Sequence, residues 1–259
     1  MKRLTVILGV VVSVLLLGPA LLWARHGVLE SYDSFGGTRF APEKWRELEE
    51  ERVVRGGAAQ LSLRQIGAGG EDQKLEFAQP AAIETLQARM QIQTVEAANF
   101  SGSDQLTAGL IGSFYRIDTS AGGEDDRTGD VHAELLVVRH GADAILKVGA
   151  AVIVCHAEEC ESATPCFVDE TSLGTARMGE PVVLTLDWDP VASRFTFTRQ
   201  RFPAISFDPS GSACAPGPGM PAANHPETGL QVRAIISSGP TADGFIRASF
   251  DNVKIFRTR

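Results

Sequence analysis

The stretch LQARMQIQ, residues 86–93, alternates apolar and polar side chains without a break. Successive side chains of a β-strand point to opposite faces of the sheet, so this period of two predicts a strand with one face on a core and one in water or a groove. The stretch DVHAELLV, residues 130–137, repeats the pattern, with apolar side chains from Val131 to Val137 opposite Asp130, His132 and Glu134. If the two strands were neighbours in a curved sheet, their polar faces would form one groove floor.

Similar short segments recur between turns rich in Gly, Pro, Asp and Asn over the rest of the chain. No segment sustains a period of 3.6, so we expect an all-β domain built as a two-sheet antiparallel sandwich. The predicted strands are residues 32–35, 45–48, 58–64, 74–77, 83–93, 106–117, 131–139, 144–154, 182–188, 194–199, 229–236 and 246–256.

The N-terminus has the layout of an export signal. Lys2 and Arg3 precede an uncharged, largely apolar run at residues 4–24, and small residues precede a candidate cleavage point after Ala20. The run is also about as long as a membrane-spanning helix, near 20 residues. Residues 1–27 are therefore either a cleaved signal peptide or a retained transmembrane anchor helix. Both predict that residues 28–259 are exported, to the periplasm, to the extracellular space or to the outward face of a membrane.

All four cysteines, Cys155, Cys160, Cys166 and Cys214, fall after this segment. In an oxidising compartment they predict two disulfides that pin loops, one local and one joining two loops. Zinc is the alternative, because His156 adjoins Cys155. The four and five residues between the clustered cysteines do not form the CxxC pattern of a zinc knuckle, however, so disulfides are favoured.

Charge and missing motifs exclude several functions. The chain has 24 Lys and Arg against 32 Asp and Glu, a net charge of −8, and no run of basic residues. A nucleic-acid partner is not expected, because phosphate binding needs clustered cations. The sequence also lacks the GxSxG, HExxH, Walker and GxGxxG patterns. It therefore has no motif typical of the common serine hydrolases, metalloproteases or nucleotide-binding proteins.

Several segments resemble the concanavalin A-like lectin and glucanase superfamily. They are DSFGG at residues 33–37, PEKW at 42–45, LDWD at 186–189 and the closing SFDNVKIF at 249–256. The resemblance covers most of residues 31–259. It implies a jelly-roll sandwich over residues 28–259, with a carbohydrate or another cell-envelope component as candidate ligand.

The glycoside hydrolases of this superfamily place Glu-x-Asp-x-Glu on one strand, facing a sugar groove. Asp130, His132 and Glu134 are the matching positions here, and the first two depart from the pattern. Strand residues four apart are about 13 Å apart at Cα, whereas retaining hydrolysis needs carboxyl groups about 5 Å apart. We therefore expect a solvated polar face and a non-catalytic domain. A degenerate hydrolase with Glu134 as acid/base is the alternative, and a membrane-anchored structural or adhesion protein is another.

Candidate ligand-binding residues are Gln87, Arg89 and Gln91, on the polar face of the first strand, and Trp188. The resemblance also implies a structural calcium ion on the closing strand, where Asp251 is the candidate ligand. No other cofactor is expected. The membrane is a partner only if the N-terminal segment is retained.

Overall fold

The fold was obtained as a computed structural model, which describes residues 48–77, 83–117, 127–157, 160, 163–209, 220–221 and 228–256. The N-terminal signal or anchor, the predicted strand at 32–35 and Cys214 lie outside the described residues. Within the described part of the chain, no helix is long and apolar enough to cross a membrane.

Apart from a 3₁₀ turn at Pro209, every regular element in the described ranges is a β-strand. The alternating stretches form strands as predicted, since residues 86–93 lie in one strand and 130–137 in another. The strands are β1 Leu48–Arg55, β2 Ala58–Ile66, β3 Gly69–Glu76, β4 Thr85–Ala98, β5 Gln105–Arg116, β6 Asp130–His140, β7 Leu146–Cys155, β8 Ala163–Asp169, β9 Thr175–Ala176, β10 Pro181–Asp189, β11 Arg194–Arg199, β12 Ile205–Phe207, β13 Met220–Pro221, β14 Gly229–Ile236 and β15 Asp243–Phe256.

The strands form two sheets in which each neighbouring pair of described strands is antiparallel. The seven-stranded sheet has the order β1-β2-β15-β4-β10-β11-β12. The eight-stranded sheet has the order β3-β14-β5-β6-β7-β8, with β13 beside β5 and β9 beside β7. This confirms the predicted all-β, two-sheet antiparallel architecture.

The core lies between the sheets. Leu86 and Met90 of β4 and Leu135 and Val137 of β6 belong to one cluster of buried side chains. Because β4 and β6 sit in different sheets and share this core, their polar faces lie on opposite outer surfaces. The expectation that these two polar faces form a single groove floor is therefore wrong.

An aromatic group fills one part of this core. Tyr115 stacks on Trp188 at 4.7 Å between ring centroids, and Trp188 contacts Phe195 at 4.5 Å. Trp188 is 5% exposed. The prediction that Trp188 binds a ligand is therefore wrong. Trp188 is a core residue, because its ring packs among other aromatic side chains and is buried.

Asp104 forms hydrogen bonds to both of the neighbouring connections between the two sheets, the one from β4 to β5 and the one from β14 to β15. It lies between β4 and β5 and is fully buried. Its carboxylate accepts hydrogen bonds from the backbone N–H of Ser101 and Ser237, both at 2.6 Å, and from the N–H and hydroxyl of Ser238. Burial alone would raise the pKa of Asp104, but these hydrogen bonds outweigh it and lower the pKa to about 2.

Candidate functional site

Asp130, His132 and Glu134 lie on the outer face of β6, in the eight-stranded sheet, and all three are buried. Their neighbours in register are Arg116, Ser113 and Ile111 of β5. The expectation of a solvated face is wrong here, because these residues are 3 to 7% exposed. Buried polar groups need partners, and the structure supplies a network of them.

Glu134 is held by Arg233 of β14. The Nη1 and Nη2 atoms of Arg233 donate to the two carboxylate oxygens at 2.9 and 3.0 Å, a two-point contact. Burial would raise the pKa of Glu134, but the charge of Arg233 outweighs it and lowers the pKa. Glu134 is therefore ionised at neutral pH, with both oxygens occupied.

His132 lies between Glu134 and a second arginine. Its Nδ1 is 3.3 Å from both Ser113 Oγ and Arg127 Nη2, and its Nε2 is 3.7 Å from Glu134 Oε1. Because a guanidinium can only donate, Nδ1 accepts and the ring proton sits on Nε2, towards Glu134. Burial lowers the pKa of His132 to about 3, so the ring is neutral at physiological pH.

Asp130 has its own arginine. Arg116 Nε donates to Asp130 Oδ1 at 2.9 Å. Burial nevertheless raises the pKa of Asp130 above its usual value, against the opposing effect of Arg116. Asp130 and Glu134 are thus placed in two separate ion pairs along one strand. Their Cα spacing of about 13 Å and the occupied oxygens of Glu134 do not fit the paired carboxyl groups of a glycoside hydrolase.

Two cavities open beside the Glu134–Arg233 pair. The larger, about 160 Å³, has an apolar floor of Leu136, Val138 and Ala151. The smaller, about 120 Å³, is lined by His132 and other polar side chains. Both cavities share Glu134 and Arg233, so the ion pair forms the wall between an apolar and a polar compartment.

Each cavity contains a buried polar atom that has no hydrogen-bond partner among the described residues. Thr107 lines the larger cavity and Gln231 the smaller; the atoms without a partner are Thr107 Oγ1 and Gln231 Oε1, and the two residues are 1% and 2% exposed. Gln231 uses its amide nitrogen on Asp72, at 2.8 Å, which fixes the orientation of its oxygen. An unmade buried hydrogen bond costs about 1–3 kcal/mol, so a polar group that reached either atom would be stabilised there.

The sequence analysis missed Arg233, Gln231 and Thr107. The signal was present for β14, where Leu230, Val232 and Ala234 alternate with Gln231 and Arg233. The same period of two that singled out β4 and β6 would have assigned an outward polar face to β14. β14 pairs with β5 and so lies two strands from β6, and this long-range order is not encoded by the period of two.

The other candidate ligand-binding residues lie on the opposite side of the sandwich. Gln87 and Arg89 line a groove of about 540 Å³ on the outer face of the seven-stranded sheet. Gln91, two residues further along β4, is not among the lining residues, and its amide nitrogen donates to Gly179 O at 2.6 Å. The structure thus places Gln87 and Arg89 in one groove, and Gln91 is not part of its lining.

Asp251 lies next to this groove. Its Oδ2 accepts from Arg89 at 2.9 Å and its Oδ1 accepts from the Asn252 amide at 3.1 Å. Over the described ranges, no group of three or more His, Cys, Asp or Glu residues is placed to hold a metal ion. Calcium binding by Asp251 stays a prediction, and Asp251 acts here as the acceptor that orients Arg89.

Cys155 and Cys160 form a disulfide with a Cα–Cα distance of 4.7 Å, which confirms the predicted local bridge. The alternative of zinc on these two cysteines is wrong, because neither has a free thiolate. Cys166 is also disulfide-bonded, and Cys214 lies outside the described residues. Cys160 lines the smaller cavity beside His132, so the local bridge fixes one wall of that cavity.

No protein-family model matches the sequence, and no curated protein matches it. Among solved structures, a legume lectin-like domain from Entamoeba histolytica is 10% identical and covers 90% of this chain and 100% of its own, with a TM-score of 0.40. An alginate lyase from Klebsiella pneumoniae is 12% identical over 78% of this chain and 75% of its own, with a TM-score of 0.36. Peanut lectin is 14% identical over 82% and 92%, with a TM-score of 0.33.

By name, two of these three neighbours are lectin or lectin-like domains and one is an alginate lyase. Their identities of 14% or less and TM-scores of 0.40 or less assign no binding or catalytic role to any residue of this chain.

Proposed function

We propose that this protein binds a carbohydrate, without hydrolysing it, on the outer face of the eight-stranded sheet. The observation that carries the proposal is the pair of cavities that share Glu134 and Arg233 and are lined by Thr107 and Gln231, whose Oγ1 and Oε1 atoms have no partner among the described residues. A sugar ring has an apolar face and a rim of hydroxyl groups. The larger cavity offers a matching combination of apolar floor and polar wall.

The site favours binding over chemistry. Glu134 is ionised and both its oxygens are used by Arg233, so it has no proton to donate to a leaving group. A fixed carboxylate–guanidinium pair presents acceptors and donors in one plane, which suits hydrogen bonding to neighbouring hydroxyl groups. Arg233 Nε has no partner among the described residues and adds one more donor at this wall.

The proposed setting is outside the cytoplasm. It is supported by the Cys155–Cys160 disulfide, since such bonds persist in oxidising compartments. The basic and then apolar N-terminal segment points the same way. Both the cleaved and the anchored form would present the domain to carbohydrate in a cell envelope or in the surroundings.

The test is an array of immobilised plant, fungal and bacterial glycans, probed with the full-length chain. Thr107→Val keeps the shape of the side chain but removes the hydroxyl group in the larger cavity. We expect the wild type to bind a defined set of glycans and Thr107→Val to bind them about tenfold more weakly, the value of one hydrogen bond.

The matched control is Thr196→Val, the same change on the outer face of the seven-stranded sheet and outside the groove on that face. It is expected to retain wild-type binding to the same glycans. No binding by the wild type, or equal loss in both variants, would reject the proposed site. Release of reducing ends from a bound glycan, abolished by Glu134→Gln, would instead establish the hydrolase.

A further inference from the structure

The groove on the outer face of the seven-stranded sheet is built from two rows of side chains that cross four neighbouring strands. In the first row, the strand register aligns one residue from each of β15, β4, β10 and β11. In the second row, the register aligns Arg89 with Val183; Asn252 follows Asp251, the register partner of Arg89, and Gln200 follows the last residue of β11. The first row is Lys254, Gln87, Thr185 and Thr198, and the second is Asn252, Arg89, Val183 and Gln200. Seven of these eight lining side chains are polar.

A β-bulge in β15 decides which side chain completes the first row. Asp251 pairs with Arg89 and Lys254 pairs with Gln87, so three steps along β15 match two steps along β4. Asn252 takes up the extra residue in the left-handed region, with φ of 50°, a conformation that Asn adopts more readily than most residues. Without the bulge, Val253 would lie beside Gln87. The bulge replaces an apolar side chain with a cation at this position.

The charged groups that line the groove are both positive. Lys254 has no ion-pair partner in the described part of the chain. Arg89 is 48% exposed at its side chain, and only its Nη1 atom is bound by Asp251, which leaves further N–H donors of the guanidinium for a ligand. A positive groove on a chain with a net charge of −8 is a local feature, not a reflection of overall composition.

The remaining liners offer neutral hydrogen bonds. The Gln87 amide nitrogen donates to Thr185 Oγ1 at 2.9 Å, so the Gln87 side-chain carbonyl stays an acceptor and the Thr185 hydroxyl stays a donor for other groups. Thr198, Gln200 and Asn252 add a hydroxyl and two amides. Strands about 4.8 Å apart make each row about 14 Å long, so the site is a narrow strip that runs across the strands.

From these observations we propose a second binding site on the seven-stranded sheet, for an anionic polysaccharide whose sugar rings carry carboxylate groups. The chain would lie along the two rows, with carboxylates at Arg89 and Lys254 and hydroxyl groups at the Gln, Asn and Thr side chains. Arg supplies a planar fork for a carboxylate and Lys a point charge, so the two cations accept acidic groups in different orientations. The site is separate from the Glu134–Arg233 cavities on the opposite face.

The test measures binding of the full-length chain to immobilised polygalacturonate, a uronic acid polymer, with neutral dextran as the comparison polymer. We expect binding to polygalacturonate that weakens as salt is raised, and none to dextran in this groove. Lys254→Glu should weaken the binding at least about tenfold, because it replaces an attractive charge with a repulsive one. Gln200→Ala should weaken it by a smaller factor.

The matched control is Lys147→Glu, the same change of charge on the outer face of β7 in the other sheet. It should leave the affinity within about twofold of wild type. Equal weakening by both substitutions would mean attraction to overall charge and would overturn the proposed site, as would unchanged binding in Lys254→Glu. Tighter binding of single-stranded DNA than of polygalacturonate would overturn the assignment to a polysaccharide. Thr107→Val is expected to have no effect, so this site and the proposed function fail independently.

Discussion

The two outer faces of the sandwich arise from the same alternating pattern but use their polar side chains differently. On the eight-stranded sheet, the ion pair Glu134–Arg233 has side chains 9% and 24% exposed, and buried atoms beside it lack partners. On the seven-stranded sheet, Arg89–Asp251 has side chains 48% and 30% exposed and borders an open groove. The period of two places a side chain on a face. It does not determine whether that face is buried.

This difference predicts unequal energetic roles for two ion pairs of similar length. Charges that are removed from water depend strongly on their partner, whereas exposed charges keep their hydration. The buried pair should therefore dominate stability, and the exposed pair should be available mainly for ligands. The following predictions test that contrast, from the largest expected effect to the smallest.

Glu134→Ala is expected to destabilise the protein by about 3 kcal/mol, because it leaves Arg233 largely buried without its counter-charge. The measurement is the free energy of unfolding from denaturant titration of the full-length chain. Glu134→Ala combined with Arg233→Met should recover part of the loss, since it removes the unpaired charge. A loss below about 1 kcal/mol in Glu134→Ala would show that this pair behaves as an exposed one.

Asp104→Asn tests the connections that join the two sheets. It is expected to lower the free energy of unfolding by about 2 kcal/mol at pH 7. The pKa of Asp104 is lowered to about 2 in the folded protein. Its stabilisation is therefore complete above the pKa of the unfolded chain, near 4, and is lost as the pH falls towards 2. The variant should be less stable at pH 7 and close to wild type at pH 2.

The measurement for Asp104 is the free energy of unfolding of both proteins between pH 7 and pH 2. Asp189→Asn is the matched control, because Asp189 also accepts two backbone N–H bonds, from Val191 and Ala192, but in an exposed turn. It should change the stability by less than Asp104→Asn does. A difference between wild type and Asp104→Asn that does not shrink in acid would contradict the assigned ionisation.

Asp251→Ala is expected to lower the free energy of unfolding by less than about 1 kcal/mol, the smallest effect of the three, because Arg89 and Asp251 are both partly hydrated. Unfolding by denaturant would measure it, alongside Glu134→Ala. The same variant should bind polygalacturonate at least as tightly as wild type, since it frees Arg89 for the ligand. A stability loss equal to that of Glu134→Ala would remove the contrast between the two faces.

Local sequence patterns were sufficient to predict the all-β, two-sheet architecture. The alternation at residues 86–93 and 130–137 correctly predicted two strands, and the inward assignment of Leu86 and Leu135 holds in the core. The local disulfide was also predictable, because Cys155 and Cys160 are close in sequence and their spacing did not suit zinc. These features depend on neighbouring residues, which a single sequence displays.

Long-range pairing was not accessible in the same way. The sequence could not show that β4 and β6 belong to different sheets, so two separate surfaces were predicted as one groove. It also could not show that Glu134 meets Arg233, 99 residues away, or that Trp188 stacks on Tyr115 in the core. Each of these contacts depends on strand order or sheet packing, which the local period of two leaves undetermined.

The most direct test of the central claim is a crystal structure of the full-length protein with the best-binding array glycan. The account predicts an intact glycan on the eight-stranded sheet, with a sugar ring over Leu136 and hydroxyl groups within hydrogen-bond distance of Thr107 Oγ1 and the Glu134–Arg233 pair. A glycan bound only on the seven-stranded sheet, or a cleaved product beside Glu134, would contradict it.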